Sequence, residues 1–373
     1  MRRPRARRRN HNNNRGVAAA VLMTAWSRPR IAELSGAVVL ALTVSAQGAR
    51  AKERRRLMTL AWAVVAVFFV IDLIWFPFSR LTFEPGNLLG LLWSALVLLA
   101  VYAIARFISR RVKEAPSRMG RFVAQVADGV RLWISALACT IALVVVGAIF
   151  SYLTASLGLE LRDTELDTID RALGFDWLSF LAFTSASPAV ATVLRVAYYS
   201  AAPQLMGVLL FLSFARRPER LAEFLAIVAV AALLTAVLVT LVPADDGYGV
   251  YAPTPEMYGL FGNTAGMRRH EILMSLRTST ELVLDKVEGI VVFPSFHATL
   301  AIITPYAVRG VRYLFVLLVL LNAVVIVATL PEGGHHLVDV IAGAFVAAAA
   351  ILIARYWAKA GSTSGPAATA DFA

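Results

Sequence analysis

Apolar runs of membrane-spanning length recur along the chain, separated by short polar or basic stretches. A helix needs about 20 mostly apolar residues to cross a bilayer core. That rule marks spans at Leu57–Phe78, Leu88–Ile108, Leu132–Leu157, Ala189–Phe214, Leu221–Val242, Phe296–Val308 with its flanks, Tyr313–Leu330 and Leu337–Trp357. The sixth is short and contains Pro305. The expectation is an all-α, polytopic membrane bundle of about eight spans. Between the third and fourth, Leu161, Ile169, Leu173 and Phe180 alternate with Asp163, Asp167 and Asp170, the pattern of an amphipathic helix lying near the surface. Ile31–Val44 is apolar but short. It reads as a signal-peptide core, an interfacial helix or sequence upstream of the true start.

Composition sharpens this. Of the 373 residues, 59% are hydrophobic and 16% charged, against about 45–50% and about 25% in soluble domains. A soluble enzyme and a disordered chain are both disfavoured. Fourteen of the 36 Lys and Arg and two of the 24 Asp and Glu fall in 1–56, leaving 22 of each sign for the rest. The net charge of +12 therefore belongs to an N-terminal arm, expected to be a disordered, solvated tail. No aromatic or folded module accompanies the Arg2–Arg9 block, so no nucleic-acid partner is expected. The chain then divides into a 1–56 arm, two extra helices and a loop over 57–130, a six-helix core over 131–358, and a 359–373 tail. The lone Cys139 allows no internal disulfide and no thiolate cluster.

Basic residues orient the bundle. Lys52 and Arg54–Arg56, Arg110 to Arg121, Arg216 to Arg220, Arg309 and Arg312, and Arg355 with Lys359 all fall on one face if there are eight spans. That face is expected to be cytoplasmic.

Candidate chemistry lies at the opposite ends of the spans. His297 comes after Pro294-Ser295-Phe296 at a helix start, where free N–H groups favour an anion. His335 and His336 precede the last span, and Asp339 stands four residues after His335, on the same helix face. His336 points about 100° away. A lone interfacial histidine is usually a boundary residue, but a carboxylate beside a span is costly and usually functional. Phosphate also needs cations. Arg277 and then Lys286 are favoured because both shortly precede the Pro294–His297 segment, ahead of Arg268, Arg269 and Arg195.

Phe293-Pro294-Ser295-Phe296-His297 resembles the second signature of the type 2 phosphatidic acid phosphatase superfamily. Gly333-Gly334-His335-His336-Leu337-Val338-Asp339 resembles its third, H-x3-D. Their wording is most similar to the inositolphosphotransferase, or inositol phosphorylceramide synthase-like, branch. The resemblance implies a six-span core, a nucleophilic His335 oriented by Asp339, and His297 as acid and then base. It also implies a phosphohistidine intermediate and neither metal nor cofactor; Ser295, Arg277 and Lys286 are the residues expected at the phosphate, the two cations for their nearness along the chain. Two departures stand out. Ala328 and Thr329 occupy the places of the third signature's Ser-Arg pair, and the first signature is absent, since Arg217-Pro218 lies on the basic face.

The function expected is a lipid-phosphate phosphatase or head-group transferase, working among membrane lipids of a bacterial plasma membrane with its site outside. The alternative is a non-catalytic membrane protein or transporter that retains the fold.

Overall fold

The computed structural model describes residues 28–112, 117–261, 264–279, 282–284 and 289–360. The chain divides into two compact units, 1–52 and 53–373, and the second carries the bundle. The helices are α1 (Arg28–Trp75), α2 (Pro85–Val112), α3 (Arg118–Ala155), α4 (Asp163–Ala172), α5 (Trp177–Ser185), α6 (Pro188–Tyr199) and α7 (Ala201–Phe214). They continue with α8 (Pro218–Leu241), α9 (Gly247–Tyr251), α10 (Pro255–Tyr258), α11 (Ala265–Thr278), α12 (Phe296–Ala307), α13 (Arg312–Ala328) and α14 (Leu337–Lys359). The protein is an all-α polytopic membrane bundle. Of the N-terminal arm expected to be disordered, 28–56 is helical, as the start of α1, and 1–27 lies outside the described residues.

Each apolar run forms helix. By length and composition α2, α3, α8, α14 and Ser45–Phe78 can cross a membrane. A sixth crossing arises if α5 and α6, bent by 110°, are one broken span. The expected fourth span is two helices, α6 and α7. Ser200 keeps helical angles between them, but Pro203 has no N–H to bond the carbonyl four residues back. The expected surface helix of 158–188 is also two, because Asp176 caps a new start by accepting Ser179 N–H at 2.7 Å.

One apolar core joins α1, α3, α7, α8, α12 and α14. Helix α8 is buried along most of its length, with Ala222, Ala226, Ala229 and Ala231 fully enclosed. Small residues let neighbouring backbones approach, which drives helix packing where lipid offers no hydrophobic gain. Helix α2 packs on α3 and is otherwise largely uncovered. Asp72 of α1 is buried, and its carboxylate has no hydrogen-bond partner among the described residues. A two-stranded parallel ribbon pairs β1 (Leu81–Phe83) with β2 (Leu282–Leu284).

The two ends of the bundle differ. At one, Arg309 pairs with both oxygens of Glu223 at 2.6 and 2.7 Å. A cavity of about 250 Å³ there is lined by Arg220, Arg309, Arg355, Lys359, Glu53 and Glu219. The other end carries α4, α5 and α9–α11, which enclose the starts of α12 and α14.

Candidate active site

The two motif segments are stitched together. Ser295 caps α12 by accepting Ala298 N–H at 3.3 Å, and its own N–H donates to the Asp339 carbonyl at 3.0 Å. Thr299 Oγ1 donates to the Gly343 carbonyl at 2.9 Å. Gly343 permits this approach, since a Cβ there would run into the Ser295 carbonyl oxygen.

The Leu330–His335 turn is fastened from three neighbouring elements. Trp177 of α5 donates to Leu330 O at 3.3 Å, and Tyr248 of α9 to Pro331 O at 2.6 Å. Gly247 N–H donates to Gly334 O at 2.8 Å, and Gly266 N–H of α11 to Glu332 O at 3.1 Å. Gly334 sits at φ +64°, a conformation that glycine adopts at no steric cost. His335 N–H donates to Thr329 O at 3.2 Å, so the threonine in the place of the superfamily's arginine supports the loop through its backbone.

His335 lies two residues before α14 rather than on it, so it meets Asp339 across the helix start and not along one helix face. His335 Nδ1 lies 3.3 Å from Asp339 Oδ2, and both side chains are buried. With Nδ1 facing the carboxylate, Nε2 is the nitrogen left for chemistry. Burial, then the charges of Arg269, His297 and His336, hold the His335 pKa well below the ordinary imidazole value. A neutral ring keeps the lone pair that a nucleophile needs.

His297, on the first turn of α12, stacks on Tyr198 of α6 with centroids 4.4 Å apart and planes 17° from parallel. A Cβ on Gly333 would meet the rings of both Tyr198 and His335 at 3.0 Å. The two histidines are close enough for the charge of His297 to act on His335. Arg269 of α11 is the buried cation there. It pairs with Asp246 at 3.0 Å and donates to the Gly333 carbonyl, while its Nε has no hydrogen-bond partner among the described residues. Burial, before the opposing effect of Arg269, raises the Asp246 pKa to about 6.

The favoured Arg277 falls elsewhere. Arg277 donates to Leu159 O at 2.8 Å and lines a small hollow with Thr154, Leu161 and Ile290 that contains none of the histidines. Lys286 lies outside the described residues. Arg195 pairs with buried Glu332 at 3.3 Å rather than with an acid of α4, and Arg268 donates to Tyr199 Oη at 3.1 Å. His270 pairs with Asp245 at 2.6 Å.

In the sequence Asp170 is only one acid of an amphipathic pattern. In the fold its two oxygens accept Leu337 N–H and Val338 N–H, each at 2.8 Å, at the start of α14. Asp339 Oδ2 also accepts His336 N–H at 2.9 Å. The free donors of this helix start are therefore met by two carboxylates. Among the described residues no group of three or more His, Cys, Asp or Glu side chains is arranged to hold a metal ion.

Fold and site together define a class: an integral membrane helix bundle with two histidines, one carboxylate and one buried arginine gathered at one end. A family model described as the PAP2 superfamily matches residues 164–353, more than half of the chain. The protein belongs to that superfamily, whose members are in general phosphoesterases. No curated protein and no solved structure matches it.

Proposed function

We propose that this protein is a membrane lipid-phosphate phosphatase or phosphotransferase that works through a phosphohistidine on His335. The observation that carries this reading is the set of His335 bonded to Asp339, His297 braced on Tyr198, and Arg269 bonded to Gly333 with its charge acting on both rings. The His335 Nε2 lone pair attacks phosphorus, and the bond from phosphorus to the lipid oxygen breaks. That oxygen leaves with a proton from His297. Water or an alcohol then gives its proton to His297 and takes the phosphoryl group from His335. Asp339 orients the attacking ring and stabilises its developing charge. Arg269, rather than Arg277, faces the phosphoryl oxygens, where a preorganised cation acts most strongly on the transition state. Ser295 contributes by holding the start of α12.

The catalytic core is 131–358, and the site faces away from the cytoplasm. The gathering of Arg220, Arg309, Arg355 and Lys359 at the far end supports that orientation. The motif wording favours an inositol or similar hydroxyl as acceptor. The test is a panel of lipid phosphates, with and without inositol, given to purified protein in detergent. Release of phosphate, or appearance of a new phospholipid, that disappears with His335→Ala supports the reading. Turnover unchanged by that substitution contradicts it.

A further inference from the structure

Glu332 stands in the turn that leads into His335 and has no part in the transfer described above. Its side chain is completely buried, and only one of its oxygens is met. Oε2 lies 3.3 Å from Arg195 Nε, while Oε1 has no hydrogen-bond partner among the described residues. A buried carboxylate oxygen left unmet is costly. The ion pair does not offset that cost, because Arg195 is 40% exposed and such pairs contribute little. The turn does not need the side chain either. Glu332 N–H donates to Ala328 O, and Gly266 N–H to Glu332 O, both at 3.1 Å.

The place of the unmet oxygen gives it a use. Arg195 and Tyr198 both lie on α6, spaced so that they share one face, with Cβ atoms about 5–6 Å apart. Arg195 holds Glu332, and Tyr198 carries the His297 ring. Arg195 is itself held, by donating to Leu260 O at 2.9 Å. The charges of Glu332 and Arg269 both act on the Tyr198 hydroxyl. One face of α6 thus sets an unmet carboxylate oxygen about a helical turn from the ring that takes the proton of the incoming alcohol.

We infer that Glu332 Oε1 binds a second hydroxyl of the phosphoryl acceptor, so that Glu332 selects a polyhydroxylated alcohol over one with a single hydroxyl. A carboxylate accepts from a hydroxyl in a short, charge-assisted bond. An alcohol lacking that hydroxyl leaves Oε1 unpaired, a penalty that an apolar mismatch does not carry. In the step itself the reacting hydroxyl gives its proton to His297, its oxygen bonds to phosphorus, and the bond from phosphorus to His335 Nε2 breaks. Glu332 touches only the second hydroxyl.

The inference rests on the phosphohistidine reading and names its acceptor. Full-length protein in detergent is given a 32P-labelled lipid phosphate with either myo-inositol or cyclohexanol, and the ratio of phosphorylated alcohol to inorganic phosphate is read. Both products draw on one phosphohistidine, so the ratio cancels any change in its formation. Wild type should favour inositol over cyclohexanol by about a hundredfold or more. Glu332→Gln should cut the inositol ratio by about tenfold or more, the scale of one charge-assisted bond. Arg195→Gln, which breaks the ion pair but keeps the carboxylate, should retain most of that ratio. An inositol ratio unchanged in Glu332→Gln, equal losses in the two variants, or no preference for inositol in wild type overturns the proposal. If Glu332→Gln does not fold, Glu332→Asp decides. Its withdrawn carboxylate should raise the KM for inositol about tenfold, and an unchanged KM overturns the proposal. His335→Ala separates the two readings. If it yields neither product while wild type shows no preference, only the acceptor site fails. If it still yields them, the phosphohistidine reading fails.

Discussion

The Ser295 N–H donates to the Asp339 carbonyl at 3.0 Å, across 44 residues of sequence. This backbone bond ties the start of α12, which carries His297, to the start of α14, beside His335. Gly343 allows it, because α14 can approach α12 only where no Cβ meets the Ser295 carbonyl. Gly343→Val should therefore cut kcat without touching substrate, by about a hundredfold if the starts part by roughly 1 Å. Turnover within twofold of wild type would separate catalysis from this contact.

Ser295 itself is a capping residue here. Ser295→Ala keeps the backbone bond and loses only the side-chain cap, a cost of about 1 kcal/mol. The expected result is a small drop in thermal stability with most of the activity retained. Abolished turnover in a stable Ser295→Ala protein would return the hydroxyl to the phosphate.

Arg269 and Arg277 should part company. Removing a preorganised charge from a reacting site commonly costs about 10²–10³ in rate. Arg269→Ala should lose that much in kcat/KM, with Arg269→Lys partly restoring it, while Arg277→Ala should stay close to wild type. The opposite ranking, measured on one lipid phosphate, would move the phosphate to the Arg277 hollow.

The pH profile has a predicted acid side. His335 works only as the neutral ring, and its pKa is held below the ordinary value by burial first and by Arg269 next. On the acid side, activity is therefore lost as pH falls through that lowered pKa. The acid limb of kcat/KM should lie well below pH 6.5. An acid limb at or above pH 6.5 in the wild type would show that the environment of His335 does not lower its pKa.

How much of this is legible in the sequence depends on where the partners sit. His335 and Asp339 are four residues apart across the start of α14, and the Ser295 cap lies within a turn of His297; both are local and legible. Arg269 reaches Gly333 from 64 residues away, and Asp170 reaches Val338 from 168. No periodicity encodes such pairings, so a preference for Arg277 rests only on nearness along the chain. Apolar runs locate every long helix, but not the break at Ser200, where Pro203 interrupts a run that hydropathy reads as continuous.

The covalent intermediate is the most direct test of the account. Purified protein is mixed with a 32P-labelled lipid phosphate, quenched within milliseconds, and analysed for acid-labile, alkali-stable label on the chain. Wild type should carry such label transiently, and His335→Ala should carry none. His336→Ala should keep a substantial part of it. Label that persists in His335→Ala, or turnover by wild type with no label at any time, would contradict the assignment of His335 as the nucleophile.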